Sequence, residues 1–349
     1  MVAGGFAAVV SSVVPSAAWA ASTARTVPSI DPLSLVDSEL RGPLESLLER
    51  MGNFAVSARN LAQMREQWKT NSPMPTPAFD ERAIPGANGA PDVRLFVINA
   101  AASDGRRPAI LHIHGGGFVA GTAAQAVPAL QRIARENNCV IVTVDYRLAP
   151  ETRFPGSLED NYTALKWLYD SANSLGVDSS RIAVMGESAG GGHAAMLAIA
   201  ARDRGEVPIA FQLLIYPMFD DRTGSSRHVP PYIGAYLWVP ASNRFGWSSL
   251  LGVPAGSRIV PAGAVPGRAE NLAGLPPAFI GVGSVDLFVD EDMDYARRLI
   301  DSGVPTELCV VPGGYHAFDG IAPEAAVSKA FRSSWSAALT KAFGISAKS

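Results

Sequence analysis

Seven apolar runs rich in β-branched residues alternate along the chain with segments whose apolar residues recur at helical spacing. Strands that are apolar along their whole length are typical of a sheet covered on both faces, and a helix between successive strands lets them run parallel. The pattern therefore predicts an α/β fold with a mostly parallel central sheet flanked by helices. The strand candidates are VRLFVINA, PAILHIHG, CVIVTVDY, RIAVMG, FQLLIYP, PAFIGVG and TELCVVP. The helical candidates are residues 158–175, 188–203, 290–303 and 323–343.

Size and charge narrow the classes of protein that this chain can belong to. Its 349 residues, of which 48% are hydrophobic and 17% charged, can bury a large core in one domain. The net charge of -3 and the absence of any run of Lys or Arg argue against nucleic-acid binding. Cys139 and Cys309 each lie in an apolar run, so both are expected to be buried, and without a disulfide between them.

Two regions do not follow the alternation and are candidates for a cap over the domain. Residues 34–68 have the spacing of amphipathic helices, and residues 218–254 are rich in Pro, Gly and aromatic side chains. We therefore predict N-terminal cap helices within 25–80, a second cap segment at 218–254, and an α/β core formed by 81–217 and 255–349.

The first 24 residues predict an export signal. They carry no charged side chain, and an Ala18-Trp19-Ala20 sequence near their end resembles a cleavage site. Glycine and proline within the stretch argue against a stable membrane span. A periplasmic or secreted protein is expected if the segment is cleaved; a cytoplasmic protein with an irregular start is the alternative.

A Gly186-Glu187-Ser188-Ala189-Gly190 sequence connects the strand RIAVM to a helical pattern. A tight turn from strand to helix can expose a serine nucleophile, and it needs small neighbours because its backbone is strained. The free N–H groups at the start of the helix also favour negative charge. The alternative is a glycine-rich turn that only packs closely.

A second glycine-rich sequence, His114-Gly115-Gly116-Gly117, follows the strand AILHI upstream of the serine. Such a loop can direct backbone N–H groups at an oxyanion. A phosphate-binding loop is the other interpretation, but no G-K-[ST] follows and the glycines lack dinucleotide spacing.

A serine nucleophile needs a base, and His316 is the histidine on a late loop, after the strand TELCVV. The orienting acid is expected between serine and histidine, after a strand, where Asp286 follows PAFIGVG. Asp290 is the alternative acid. His112, His114, His193 and His228 are expected to have structural or solvent roles, with His114 supporting the glycine loop.

These motifs together resemble the hormone-sensitive-lipase family of bacterial carboxylesterases (bacterial family IV), which belongs to the α/β-hydrolase superfamily. The matches extend from about Arg94 to Phe318 and also include the residues Asp145-Tyr146-Arg147-Leu148-Ala149-Pro150-Glu151 and His316-Ala317-Phe318. One departure is Glu187, where the family motif often has Asp. The ion-pairing sequence that begins at Asp145 is expected to form a structural turn.

The resemblance implies an α/β-hydrolase core with a helical cap, no metal or organic cofactor, and hydrolysis of short- to medium-chain esters through Ser188, His316 and Asp286. It also implies oxyanion donors at the amides of Gly116, Gly117 and Ala189. The expected partner is a small-molecule ester, with a homodimer as a further possibility. Amide, lactone or carbamate substrates remain open, as does a non-catalytic binding role on the same scaffold.

Aromatic residues in and near the second cap segment are candidates for the substrate pocket, because ligand sites are mostly apolar. They could equally form the interior of the cap. The candidate substrate-binding residues are Tyr236, Trp238 and Trp247 of this segment, together with Phe118, which directly follows the glycine loop.

Overall fold

The computed structural model describes residue 1 and residues 30–68, 73–101 and 106–344. Except for Met1, the predicted export signal lies outside the described residues. The chain from Asp31 onward forms one compact unit, to which everything below refers. Within the described ranges, no helix is both long and apolar enough to cross a bilayer.

The centre of the unit is one eight-stranded sheet with the strand order β1-β2-β4-β3-β5-β6-β7-β8. The strands are β1 (Phe79–Ile84), β2 (Val93–Ile98), β3 (Arg107–Ile113), β4 (Val140–Asp145), β5 (Val177–Glu187), β6 (Phe211–Ile215), β7 (Ala278–Gly283) and β8 (Thr306–Val311). Strand β2 is antiparallel to β1 and β4, and all other neighbours are parallel. The predicted mostly parallel sheet is confirmed.

Helices cover both faces of this sheet, which explains why most strands are apolar throughout. They are α3 (Ala123–Glu136), α4 (Gly156–Asp170), α5 (Ala189–Arg204), α7 (Val289–Asp301) and α9 (Ala326–Ala342). Helices α3 and α9 contribute to one buried cluster, and α4, α5 and α7 contribute to the other. Successive residues of β3 alternate between the clusters, with Ile110 in the first and Leu111 in the second.

Strand β1 was not among the predicted strands. Its sequence FDERAI has four consecutive exposed residues because β1 is an edge strand, paired only with β2. The apolar run that marks a buried strand is therefore missing. The sheet begins at Phe79, two residues before the start of the predicted core.

The segments outside the alternation contain helices α1 (Ser38–Met51), α2 (Leu61–Gln67) and α6 (Pro240–Leu251), and a short helix α8 (Phe318–Ile321) precedes α9. The Asp37 side chain accepts a hydrogen bond from the Glu39 amide at the start of α1, and Leu40 and Leu44 are buried. The exact cap boundaries stay a prediction.

Both cysteines are free thiols. Cys139 is buried, and burial raises the pKa of its thiol to about 12. The expectation that Cys309 is buried is wrong: it is partly exposed because β8 is the other edge strand of the sheet.

Candidate active site

Four loops meet at the carboxyl ends of the parallel strands, which is where open α/β sheets bind ligands. Gly115 follows β3, Ser188 follows β5, Asp286 follows β7 and His316 follows β8. The structure thus brings the sequence-predicted groups to one edge of the sheet.

Ser188 occupies the turn between β5 and α5, with a φ of 57° and a ψ of -123°. The turn is held by the Ser188 amide, which donates to the Ile215 carbonyl oxygen at 2.9 Å. Gly190 must be small, because a Cβ there would lie 2.0 Å from the carbonyl oxygen of Ile113. The strand end, the strained serine and the close packing of the helix are therefore one local unit.

His316 joins Ser188 to Asp286. The Ser188 hydroxyl lies 2.9 Å from His316 Nε2, and His316 Nδ1 lies 2.9 Å from Asp286 Oδ2. Because a carboxylate only accepts, Nδ1 carries the proton and Nε2 is free to accept from the hydroxyl. Asp286 is fully buried, and its other oxygen accepts from the Phe288 amide at 3.1 Å. This arrangement can take a proton from the serine and stabilise the imidazolium that results.

Two aromatic rings hold the imidazole edge-on. The ring of Phe288 lies 5.2 Å from that of His316, and the ring of Tyr216 lies 5.0 Å away. The Tyr216 hydroxyl donates to Asp319 Oδ1 at 3.2 Å, and burial raises the pKa of Tyr216 well above its usual range. Sequence reasoning missed Tyr216, although its place directly after β6, between strands that carry the serine and the acid, was a usable signal.

The glycine loop lies beside Ser188. The Gly116 carbonyl oxygen accepts from the Val119 and Ala120 amides at 3.1 and 3.0 Å, so the loop curls back on itself. Within the described part of the chain, the amides of Gly116 and Gly117 donate to no protein acceptor. The Ala189 amide opens α5 and has no partner within the helix. These N–H groups are available to an oxyanion.

Trp238 packs directly against this loop. Gly117 has a φ of 61°, and a Cβ at this position would lie 2.0 Å from Trp238 Cη2. Only glycine allows both the left-handed backbone and the contact with the indole. The indole N–H donates to Asn243 Oδ1 at 3.3 Å, which fixes the ring.

His114 supports the loop from below, as expected. Its Nδ1–H donates to the Gly115 carbonyl oxygen at 2.8 Å, and its ring stacks on Tyr146 at 4.3 Å. The Tyr146 hydroxyl donates to the His114 carbonyl oxygen at 2.9 Å. Burial lowers the pKa of His114 to about 4, so the imidazole is neutral at physiological pH.

The remaining residues of the 145–151 sequence connect the loop to its surroundings. Arg147 makes a bidentate ion pair with the buried Asp160. Arg65 of α2 donates to the carbonyl oxygens of Val119 at 2.7 Å and Ala149 at 2.9 Å. The same guanidinium pairs with Glu151. The sequence is thus a structural turn, as expected, and it also anchors an N-terminal helix.

A cavity of about 380 Å³ opens onto Ser188 and His316. Its walls come mainly from the N-terminal helices and the segment before α6. The side chains that line it, apart from the glycine loop and the catalytic candidates, are Leu47, Met51, Asn53, Phe54, Val56, Met64, Trp68, Glu187, Tyr216, Leu237, Trp238, Ala317 and Ile321.

Of the four candidate substrate-binding residues, Trp238 lines this cavity and the other three do not. Phe118 has a φ of 68° and turns its ring into the core, where it packs against Trp247 at 4.7 Å. Trp247 is fully buried on α6. Tyr236 is partly buried and packs on the other hydrophobic cluster. The cavity lining therefore supports the substrate-binding prediction for Trp238 alone, and that for Phe118, Tyr236 and Trp247 stays a prediction.

Two further histidines are structural. His112 bridges Thr143 Oγ1 at 2.8 Å and Glu187 Oε2 at 2.9 Å. His193 donates from Nδ1 to the Ala189 carbonyl oxygen and faces Ser157 Oγ at 2.8 Å. Burial lowers the pKa of His193 to about 3. In the described ranges, no three His, Cys, Asp or Glu side chains converge to hold a metal ion.

The fold and this edge of the sheet define an α/β-hydrolase. A family model described as the alpha/beta hydrolase fold matches residues 110–320. The chain is 36% identical over 250 residues to "Esterase LipI" of Mycobacterium tuberculosis, covering 70% of this chain and 76% of that protein. It is 34% identical over 279 residues to "Carboxylesterase NlhH" of the same species, covering 76% and 84%.

Solved structures agree. One described as "Bacterial Heroin Esterase" is 34% identical with a TM-score of 0.79, covering 90% of this chain and 99% of that one. The chain belongs to the α/β-hydrolase family, in its hormone-sensitive-lipase-like branch, and is a carboxylic ester hydrolase.

Proposed function

We propose that this enzyme hydrolyses short- to medium-chain carboxylic esters through an acyl-enzyme intermediate on Ser188. The observation that carries the proposal is the hydrogen-bonded row of Ser188, His316 and Asp286 beside amides without protein acceptors. Each part has a defined task in acyl transfer.

The first half of the reaction forms the acyl-enzyme. Ser188 Oγ attacks the ester carbonyl carbon while its proton moves to His316 Nε2. Asp286 stabilises the imidazolium, and the amides of Gly116, Gly117 and Ala189 donate to the oxyanion. The carbon–oxygen bond to the leaving alkoxide breaks, and the alkoxide takes the proton from Nε2.

The second half repeats these steps with water. His316 Nε2 accepts a proton from water as the water oxygen attacks the acyl carbon. The tetrahedral intermediate collapses, Ser188 leaves with the proton from Nε2, and the carboxylic acid is released. No further group is needed for either half.

The size of the cavity supports the preference for small acids. About 380 Å³ lies near the lower end of the range for ligand pockets, roughly 300–1,000 Å³. A relative from Pseudomonas putida, 35% identical over 219 residues, is named "Ethyl acetate hydrolase".

The test is the hydrolysis of 4-nitrophenyl esters from acetate to palmitate by the wild type, Ser188→Ala and Ser333→Ala. Ser333 is an exposed serine on α9 and serves as the matched control. We expect turnover that peaks at short chains, persists in the Ser333 variant and disappears in the Ser188 variant. A profile that rises to palmitate would contradict the chain-length proposal, and turnover by Ser188→Ala would contradict the mechanism.

A further inference from the structure

The catalytic cavity has a distinct charge pattern. Among the described residues that line it, Glu187 is the one acidic side chain, and none is Lys or Arg. Most of the other lining side chains are apolar or aromatic. A charge in such surroundings acts on a bound ligand more strongly than it would in water.

The Glu187 carboxylate is held in place by two consecutive hydrogen bonds that run through buried His112. His112 Nε2–H donates to Glu187 Oε2 at 2.9 Å, and the other nitrogen of His112 faces the hydroxyl of Thr143 at 2.8 Å. His112 and Thr143 are almost completely buried, whereas 28% of the Glu187 side chain is exposed. These bonds use one carboxylate oxygen, and the partly exposed side chain lines both the catalytic cavity and an outer groove between α3 and α9.

The groups around Glu187 add no positive charge on the cavity side. Tyr216 and Asp319 lie close by, joined by the Tyr216 hydroxyl, which donates to the Asp319 carboxylate. His316 Nδ1 is hydrogen-bonded to Asp286. Glu187, Tyr216 and Asp319 also line the outer groove, whose cationic side chains are Arg132, Lys329 and Arg332. Lys329 is paired with Glu324, and Arg332 donates to the carbonyl oxygens of Asp319 and Pro323.

Aromatic side chains are the second feature of the cavity that suits an organic cation. Trp68, Trp238, Phe54 and Tyr216 all line the same cavity. Aromatic faces attract an organic cation through the ring quadrupole, and quaternary ammonium groups are commonly bound by aromatic side chains. A carboxylate together with several aromatic rings is therefore a suitable environment for a bulky ammonium group that has lost its water.

We propose that Glu187 is a specificity-determining residue that makes this enzyme prefer esters carrying an ammonium group over neutral esters of the same shape. The inference rests on the proposed ester hydrolysis at Ser188. The reaction itself is unchanged: water cleaves the acyl carbon–oxygen bond, giving a carboxylic acid and an ammonium-bearing alcohol, or an ammonium-bearing acid and an alcohol.

Isosteric pairs of esters test the proposal. Acetylcholine and 3,3-dimethylbutyl acetate differ by one atom, a positively charged nitrogen in place of carbon, on the alcohol side. The 4-nitrophenyl esters of 4-(trimethylammonio)butyrate and 5,5-dimethylhexanoate make the same comparison on the acyl side. The quantity measured is the ratio of kcat/KM for the cationic ester to that for the neutral ester.

We expect a wild-type ratio of about tenfold in at least one pair, equivalent to about 1.4 kcal/mol, since cation–π contacts strengthen when the cation is desolvated. Glu187→Gln keeps the shape and the hydrogen-bond acceptor and removes the charge, so the ratio in that pair should fall at least about fivefold. Glu136→Gln removes an exposed carboxylate of the outer groove, outside the catalytic cavity, and should leave the ratio unchanged.

Wild-type ratios at or below one in both pairs would overturn the proposal even if Glu187→Gln does not fold. A high ratio that survives in Glu187→Gln would overturn the role of Glu187. These failures differ from failure of the proposed function, because neutral esters would still be hydrolysed in a Ser188-dependent manner.

Discussion

The carboxylate of Asp286 and the Nδ1 of His316 lie 2.9 Å apart, in a position where solvent does not reach Asp286. This contact fixes the tautomer that leaves Nε2 free to accept the serine proton. Asp286→Asn keeps the size of the side chain but can turn its amide toward Nδ1, which favours the wrong tautomer. We expect kcat to fall by about 10³–10⁴-fold.

Asp290→Asn is the matched control for this change. Asp290 is the alternative acid from the sequence, and its exposed side chain pairs with Arg227. Steady-state kinetics on a short-chain ester should give a value within about twofold of the wild type, since exposed ion pairs contribute little. Equal losses in the two variants would show that Asp286 is not the orienting acid.

Gly117→Ala should damage both the glycine loop and its activity. The new Cβ would lie 2.0 Å from Trp238 Cη2, so either the indole or the loop must move. Moving one oxyanion donor costs about 10²-fold in kcat. The extra methyl group should also lower the free energy of unfolding by roughly 1–3 kcal/mol beyond the backbone strain.

Gly89→Ala measures the cost of backbone strain without a steric clash. Gly89 has a φ of 77°, and no atom lies near the position of an added Cβ. Chemical denaturation should show a loss of about 1–2 kcal/mol there. In a Trp238→Ala background, the cost of Gly117→Ala should fall to the cost at Gly89. An unchanged cost in that background would exclude the indole contact as the cause.

Arg65 should contribute more to stability than its ion-pair partner does. Its guanidinium donates to the carbonyl oxygens of Val119 and Ala149, whereas the side chain of Glu151 is 63% exposed. We expect Arg65→Leu to lower the free energy of unfolding by about 1.5–3 kcal/mol, because these carbonyls lose their charged donor. Glu151→Gln should cost at most about 1 kcal/mol. Denaturant titrations in which Glu151→Gln costs as much as Arg65→Leu would contradict this assignment.

The buried His193 should make stability depend on pH. Its pKa is lowered to about 3 by burial, so the folded protein keeps it neutral while the unfolded chain protonates it near the usual value of about 6.5. The unfolded state thus binds more protons between these values. This residue's contribution to stability is complete above about pH 6.5 and is lost as the pH falls toward 3.

His193→Asn removes this titration. We expect the variant to be less stable at neutral pH, because the contacts with Ala189 and Ser157 are changed. Its free energy of unfolding should rise less steeply with pH than that of the wild type between about pH 4 and 6, by up to about 1.4 kcal/mol per pH unit. Denaturant titrations at several pH values measure the two slopes, and parallel curves would refute the prediction.

Most of the sheet could be predicted because its strands are buried on both faces, and that burial is visible as apolar runs. The edge strand β1 lacks this signal, whereas the edge strand β8 carries it although its residues are mostly exposed. The sequence of strand β1 is polar and exposed at one edge of the sheet. At the other edge, the position of β8 leaves Cys309 partly exposed. Position within the sheet is a tertiary property, which local sequence does not show.

In the candidate active site, likewise, some features could be predicted from local sequence and others could not. Ser188, Asp286 and His316 could be chosen because each follows a strand within a short local motif, and the structure brings them together. Apart from Trp238, the cavity walls could not be predicted, because they depend on how α1 and α2 pack over the sheet. Phe118 illustrates this: it directly follows the glycine loop, but its ring is buried against Trp247 and does not line the cavity.

The central claim is that Ser188 is the nucleophile, and covalent labelling tests it most directly. The wild type and Ser188→Ala are incubated with diethyl 4-nitrophenyl phosphate, and intact and peptide masses are measured together with released 4-nitrophenol. We predict one diethylphosphoryl group per wild-type chain, located on Ser188, with one equivalent of 4-nitrophenol and loss of esterase activity. Labelling of Ser188→Ala to the same extent, or a wild-type adduct on another residue, would contradict the account.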